Sequence, residues 1–352
     1  MDRTPPTRRA VLGGIAGLGT ASLAGCSGLL ERQSVGNPPV VEDRPNAVYY
    51  PSHIEGMGMI GTEQAGDRTI GLMYSYAHRF WTMNVGGTTE RVSPSGDAHL
   101  MVSVWDGESG RVLPIRSGLS VTIEQDGEEV DSRTPWTMLS QNMGFHYGDN
   151  VGLDGDGTYT VTVETGGLSI DRLGEFTDRF GDPVTAEFEW EFSQSARGEI
   201  MFRQLDNAGE TGAVSPMSDM MMPLSIAPAE GDMPGRVLAT GESGDATFVA
   251  TAGEREGSQY LAISPRTPHN RYVLPQMALS ATVTRGDETV FDGPLSPAIG
   301  PRRGYHYGTV IDSNVESGDG LTITVDSPPQ ISRHEGYETA FLSMPDLSLT
   351  VE

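Results

Sequence analysis

The chain has no lysine and a single cysteine, Cys26, among its 352 residues. One cysteine excludes an intramolecular disulfide and a metal site built from several thiolates. The 23 basic residues are all arginine and are outnumbered by 48 acidic residues, which gives a formal net charge of −25 at pH 7. Because nucleic-acid binding relies on a basic surface, no nucleic-acid partner is expected.

Common catalytic motifs are also missing. The chain contains neither a Gly-x-Ser-x-Gly elbow nor a phosphate-binding loop. Residues 334–338 (His-Glu-Gly-Tyr-Glu) lack the second histidine of a zinc protease helix. We therefore predict that the protein is not an enzyme.

Long amphipathic helical patterns are absent, and glycine and proline are abundant. The 45 glycines and 23 prolines are typical of a turn-rich, all-β architecture. The acidic residues are spread along the chain rather than gathered in one run, which favours a solvated surface adapted to high salt, as in halophilic proteins, over an acidic tail.

The first 26 residues have the features of an export signal. A twin arginine, at 8–9, precedes an uncharged stretch, 11–24, that is too short to span a bilayer. The stretch ends in the lipobox Leu-Ala-Gly-Cys, and we predict cleavage before Cys26 and lipidation of its thiol. Residues 27–50 then form a flexible tether, and the lipoprotein is anchored in the lipid bilayer at the outer face of the cytoplasmic membrane.

A short segment occurs twice. Residues 144–148 (Gly-Phe-His-Tyr-Gly) are echoed 160 residues later by 304–308 (Gly-Tyr-His-Tyr-Gly). Each copy follows a predicted hairpin turn at the same distance, Asp-Gly at 126–127 and Gly-Asp at 286–287. We predict two copies of one β module, with His146 and His306 on equivalent glycine-flanked turns and a longer loop after the second copy.

Alternating apolar and polar residues predict the strands of the first module. Residues 185–193 place alanine, phenylalanine and tryptophan on one face and glutamate on the other, as in a half-buried sandwich strand. Further strands are predicted at 70–83, 98–106, 119–133 and 158–164. The predicted organisation is a domain at 51–193, a linker at 194–243 and a second domain at 244–352.

Three segments resemble the periplasmic iron-transport lipoproteins, which are copper- and iron-binding partners of a membrane iron permease. They are 143–151 followed by Gly-Thr-Tyr at 157–159, Asp-Ala-His-Leu at 97–100, and 188–192 (Phe-Glu-Trp-Glu-Phe). Together they cover about residues 70–193. The resemblance implies two immunoglobulin-like β-sandwich domains, a histidine and methionine site for a copper or iron ion, and a permease as partner.

The resemblance assigns His99 and His146 to the metal site. The chain departs from the family at Trp105, where the relatives carry another histidine, and it has no acidic residue at 70–74 and no histidine at 166–183. The site is therefore either reduced, completed by methionine and by His78 or His53, or lost. Our choice for the additional ligands is the thioether of Met83 with His78, both assigned to the opening strand.

Other soft donors lie outside this set. His53 and two methionines between glycines at 51–60 form either a metal-binding loop or a flexible loop with gap-filling methionines. The methionine run at 217–223 could hold cuprous ion, but we interpret it as incidental.

The second copy lacks a counterpart of the metal-site strand, because 274–277 reads Leu-Pro-Gln-Met where the first copy carries His99. His334 lies in the loop where the family has a histidine. We interpret the second domain as mainly structural or as facing a partner.

Two functions from different classes remain open. The first is an extracytoplasmic, membrane-anchored protein that binds copper or iron for iron uptake, as a monomer or as a homodimer. The alternative is a surface β-sandwich lipoprotein that binds a protein or glycan and no metal. The metal content of the purified protein distinguishes the two.

Overall fold

The alternating segments form strands, and the fold is all-β as predicted. The computed structural model describes residues 38–84, 87–114, 118–217 and 221–352. These residues belong to one compact unit. Within the described ranges, no helix is long and apolar enough to cross a membrane. The predicted signal, the lipidation site Cys26 and residues 27–37 of the predicted tether lie outside the described residues. The rest of the tether, 38–50, packs on the fold, since Val48 and Tyr49 are buried and Tyr49 bridges to Thr211, so that part of the prediction is wrong.

Among its described residues, the first half contains thirteen strands. They are β1 (His53–Glu55), β2 (Gly58–Ala65), β3 (Arg68–Ser75), β4 (Phe80–Asn84), β5 (Thr88–Val92), β6 (Ala98–Trp105), β7 (Ser120–Gln125), β8 (Glu128–Arg133), β9 (Trp136–Ser140), β10 (Gly144–Val151), β11 (Gly157–Thr165), β12 (Asp171–Arg172) and β13 (Val184–Phe192). A short helix, α1 (Gln194–Gly198), follows. Short 3-10 turns lie at Gly174–Phe176 and Glu230–Asp232.

The second half contains the remaining strands. They are β14 (Phe202–Gln204), β15 (Arg236–Ser243), β16 (Ala246–Arg255), β17 (Ser258–Arg266), β18 (Ala278–Arg285), β19 (Glu288–Gly300), β20 (Gly304–Ile311), β21 (Gly320–Ser327), β22 (Ser332–Arg333) and β23 (Leu347–Thr350). The predicted linker thus contains α1, β14 and β15, and β14 pairs with β1.

The first half folds into two facing sheets. One has the order β2-β3-β6-β10-β9-β22-β4-β5, and the other has the order β13-β11-β7-β8. The apolar face of β13 is buried and its glutamates are exposed, because side chains alternate along a strand. The rings of Tyr74 on β3 and Trp190 on β13 lie 5.1 Å apart, so the two sheets enclose an aromatic core.

The second half forms one continuous sheet. Its order is β15-β16-β17-β20-β19-β18-β21-β23, and contacts between β15 and β23 bring its two ends together. The long strand β19 pairs with β18 over its first part and with β20 over its last part. It therefore takes the place of two consecutive strands, β8 and β9, of the first half.

Each half contributes a short strand to the sheet of the other. β22 inserts between β9 and β4 of the first half, and it runs parallel to β9. Conversely, β12 pairs in parallel with β19 of the second half. Residues beyond position 330 therefore reach the predicted metal site.

Three predictions about local structure need correction. His146 and His306 lie within strands β10 and β20, and the turns precede them at 141–143 and 301–303. The predicted strand 70–83 is two strands, β3 and β4, which lie in different parts of the sheet. His78 falls in the loop between them, because β6, β10, β9 and β22 all lie between β3 and β4 in the sheet. The loop after β20 is longer than the loop after β10, as expected.

Candidate metal centre

Four histidines from separate parts of the chain meet at the eight-stranded sheet. His99 belongs to β6 and His146 to β10, whereas His78 lies in the loop between β3 and β4 and His334 follows β22. Ligand nitrogens of His78, His99 and His334 lie within 4.8 Å of one another. Nε2 of His146 lies 3.2 Å from Nε2 of His334. We call these four residues the histidine cluster.

Asn150 fixes the orientation of His99. Its amide Nδ2 donates to the carbonyl oxygen of His78 at 2.9 Å, so Oδ1 is the atom that accepts from His99 Nδ1, also at 2.9 Å. Nδ1 of His99 therefore carries the ring proton, and Nε2 carries a lone pair. Nε2 is buried and has no hydrogen-bond partner among the described residues, which leaves it available to a cation.

The backbone of the repeated segment fixes the orientation of His146. Gly144 begins β10 with a φ of 71°, which a residue with a Cβ adopts only at a cost. This places its carbonyl oxygen 3.1 Å from His146 Nδ1, and because a carbonyl only accepts, Nδ1 is the donor. Nε2 of His146 then presents its lone pair towards His334.

A carboxylate stands behind His78. Oε2 of Glu55 lies 3.4 Å from His78 Nδ1, and Oε1 of Glu55 lies 2.8 Å from Nε2 of His53. Burial alone would raise the pKa of Glu55, but His78 and the hydrogen bond from His53 outweigh it and hold that pKa below its usual range. The carboxylate thus lies beside Nδ1 of His78, and both ring nitrogens of His78 are buried without a hydrogen-bond partner among the described residues.

Three rings of the cluster, those of His99, His146 and His334, are held in the neutral, metal-binding form. Burial lowers the pKa of His146 to about 4. Burial, reinforced by the neighbouring His78, also holds the pKa values of His99 and His334 well below their ordinary value. Because only neutral imidazole binds metal ions, these three rings are ready to coordinate at neutral pH.

The final glycine of the repeated segment leaves room for the cluster. A Cβ on Gly148 would lie 2.6 Å from Nε2 of His99 and 3.1 Å from the sulfur of Met138. Any larger residue would push the imidazole out of place. The same distances show that the Met138 thioether lies beside His99, on the neighbouring strand β9.

One pair of nitrogens in the cluster has the spacing of two ligands on one metal ion. Two imidazole nitrogens that bind a tetrahedral ion at about 2.0–2.1 Å lie about 3.3 Å apart, and the nitrogens of His146 and His334 are 3.2 Å apart. Buried nitrogens of His78 and His99 lack hydrogen-bond partners in the described part of the chain. Imidazole donors suit copper, zinc and iron, and an adjacent thioether favours copper among them.

Three of the four residues predicted as metal ligands meet in the cluster: His78, His99 and His146. The fourth, Met83, lies on β4. The ring of Phe80 on the same strand is 5.9 Å from the ring of His99. Because side chains alternate along a strand, Met83 points to the opposite face from Phe80. The sulfur of Met138 lies beside His99, and Met57 and Met101 line a cavity together with His78 and His334.

The other predicted soft donors lie outside the cluster. His53 bonds to Glu55 and its ring stacks on Phe202 at 4.8 Å, so it supports the cluster from behind. Of the methionine run, 218–220 lies outside the described residues. Met222 is buried in the core against Gly71 and Trp105.

Sequence reasoning missed His334 and Met138 as neighbours of the predicted pair. Only the position of His334, in a loop where the family carries a histidine, pointed to it. Its assignment to the second half hid its role, since nothing in the sequence indicates that β22 enters the first sheet. Met138 gave no signal, because the strand that carries it was not predicted.

Comparisons with known proteins match the two halves to different families. Residues 111–194 match the family described as Fe2+ transport protein, and residues 231–350 match a domain of unknown function, DUF7350. No curated protein matches the chain.

Solved structures provide two further similarities. A copper-bound variant of FetP from uropathogenic Escherichia coli strain F11 is 19% identical, with a TM-score of 0.32, and the match covers 39% of this chain and 97% of that one. FetP of the same strain as isolated is 18% identical, with a TM-score of 0.29, over 40% and 96% of the two chains. The match of residues 111–194 to the Fe2+ transport protein family confirms the resemblance to iron-transport proteins predicted from the repeated segment and its neighbours.

Proposed function

We propose that the protein binds a copper or iron ion through His78, His99, His146 and His334, outside the cytoplasm and in the service of iron uptake. The observation that carries this proposal is the orientation of the first three rings. His99 and His146 hold Nδ1 against an acceptor, Asn150 or the backbone, which leaves the lone pair of Nε2 for an ion, and Nδ1 of His78 lies beside the Glu55 carboxylate. Metal-binding histidines are held in this way.

The match of residues 111–194 to the Fe2+ transport protein family and the copper in one FetP structure support the choice of ion. The absence of the common catalytic motifs supports a binding role over catalysis. The proposal includes anchorage through Cys26 and delivery to a membrane iron permease. It keeps the domain boundaries predicted from the sequence, 51–193 and 244–352.

Titration of cupric and ferrous ions at high salt tests the proposal. Wild-type protein is expected to bind one ion, and His99→Ala or His146→Ala is expected to weaken binding at least ten-fold, since ligand loss exceeds the effect of losing a supporting residue. His306→Ala is the matched control, because it occupies the same place in β20 and lies outside the cluster. Absence of stoichiometric binding by the wild type would favour the protein- or glycan-binding alternative.

A further inference from the structure

The two short strands that the halves exchange, β12 and β22, make the same backbone hydrogen bond with the sheet that each enters. In the first sheet, the backbone N–H of His334 donates to the carbonyl oxygen of Leu139 at 3.0 Å. In the second sheet, the N–H of Leu173 donates to the carbonyl oxygen of Ile299 at 2.8 Å. Leu139 and Ile299 hold the same place, 160 residues apart, in strands that pair with β10 and β20.

The segments that follow the exchanged strands also fold alike. Phe180 and Phe341 both have positive φ, 63° and 58°, which is rare for phenylalanine. Arg172 donates to the carbonyl oxygen of Arg179 at 2.7 Å, and Arg333 donates to that of Ala340 at 2.8 Å. The entry of β22 into the first sheet and the entry of β12 into the second sheet are therefore two copies of the same contact.

We infer that the chain is a dimer folded within one polypeptide, in which the second half is the built-in partner that supplies His334, and in which the equivalent second metal position is closed. In a two-fold homodimer, a residue of one subunit contacts a second residue of the partner, and the same contact is made again in the opposite direction. This is called an isologous contact. The inference rests on the proposed function, because it identifies the second half as the partner that completes the same site.

The strand registers locate the closed position. His99 is opposite Asn150 on β10, and at the equivalent place on β20 Val310 is opposite Tyr260. Tyr260 on β17 therefore replaces His99, and β17, rather than residues 274–277, is the counterpart of the metal-site strand, which corrects the interpretation drawn from the sequence. Leu173 follows β12 as His334 follows β22, and the two residues make the same backbone contact with the sheet they enter. Leucine therefore replaces the cluster's fourth histidine at the second position.

The second position also lacks a counterpart of His78. That residue belongs to the excursion between β3 and β6, whereas the equivalent strands β16 and β17 are joined by a two-residue turn, Glu256 and Gly257. Of the four histidines of the cluster, the second half retains one equivalent, His306.

His306 keeps the backbone contact of a metal ligand but not a free lone pair. Its Nδ1 lies 3.0 Å from the carbonyl oxygen of Gly304, as in His146. Its Nε2 lies 3.2 Å from the hydroxyl of Tyr260, and because Nδ1 carries the ring proton, the hydroxyl donates to Nε2. Burial raises the pKa of Tyr260 to about 12, so the tyrosine stays protonated and continues to donate.

Restoring the second position tests the closure. Cupric ion alone is titrated into the full chain at high salt, with circular dichroism as a check of the fold. Wild type is expected to bind one ion per chain, and Tyr260→His combined with Leu173→His is expected to bind two. Tyr260→Phe, which removes the hydroxyl without adding a ligand, is the control and should still bind one. A folded double variant that binds one ion overturns the closure, whereas a wild type that binds none overturns the proposed function instead.

Complementation tests the internal pairing without any new site. Chains carrying His146→Ala and chains carrying His334→Ala are unfolded together, refolded as a mixture, and titrated with cupric ion. If each chain pairs its own halves, no complete cluster forms and tight binding stays absent. Recovery of tight binding in the mixture would show that β22 crosses between chains, and would overturn the inference.

Discussion

The repeated segment has a physical role for each of its glycines and its histidine. Gly144 supplies a backbone turn whose carbonyl fixes the tautomer of His146, and Gly148 leaves space for the ring of His99. At the second copy Gly304 has the same φ of 71°, and a Cβ on Gly308 would meet the Tyr260 hydroxyl. In each half the segment thus positions two facing side chains, His146 and His99 in the first and His306 and Tyr260 in the second.

Gly148→Ala is expected to weaken metal binding by at least ten-fold with only a modest loss of stability. The added Cβ would lie 2.6 Å from Nε2 of His99, and the ring must turn away because the strand backbone is held on both sides. Gly308→Ala is the matched control, since its Cβ meets Tyr260 instead. Competition titration with a copper chelator measures both variants, and equal affinities would contradict this role of Gly148.

At the scale of elements, Arg333 holds the segment that carries His334. Its buried guanidinium donates to the carbonyl oxygens of Pro329 and Ala340, which closes the loop around β22. Removing one partner of buried hydrogen bonds leaves the carbonyls unsatisfied and costs roughly 1–3 kcal/mol for each group.

Arg333→Ala is therefore expected to lower both thermal stability and metal affinity. Arg172→Ala removes the equivalent contact in the other crossing, where no metal position is formed. It should lower stability while leaving metal affinity close to that of wild type. Thermal unfolding and copper titration of the pair check this, and a parallel loss of affinity in both variants would argue against a local role for Arg333.

The sequence predicted single elements far better than their assembly. Alternation and hairpin turns located β6, β7, β8, β11 and β13 to within one residue, because burial of one face sets the period of a strand. The repeated segment was assigned to a turn because of its glycines, but Gly144 only starts β10. The exchange of β12 and β22 could not be predicted, since two-residue strands carry no period and pair with strands far away in sequence.

At the scale of the whole molecule, buried neutral histidines make stability depend on pH. Burial lowers the pKa of His306 to about 3 and that of His146 to about 4, whereas the unfolded chain takes up these protons near pH 6.5. Between those values the unfolded state binds more protons, so stability falls as pH falls. For His146 the loss is roughly 3 kcal/mol by pH 4.

The ion-free protein is therefore expected to lose stability steadily from pH 6.5 towards pH 4. Urea unfolding at several pH values in this range, at constant high salt, measures the slope. His306→Gln removes one of the titrating rings and should flatten the slope. An unchanged slope would show that His306 does not remain neutral in the fold.

Metal occupancy should likewise persist below pH 6.5, the value at which an unperturbed histidine site would begin to lose its ion.

The crossing of β22 into the first sheet also governs when the molecule can first hold an ion. His146 and His334 are separated by 188 residues, and His334 lies near the end of the chain. Contacts between such distant residues carry a large loop-closure entropy and form late in folding. Until β22 enters the first sheet, the cluster holds His78, His99 and His146 without His334. We therefore expect tight binding of an ion to follow folding rather than to guide it.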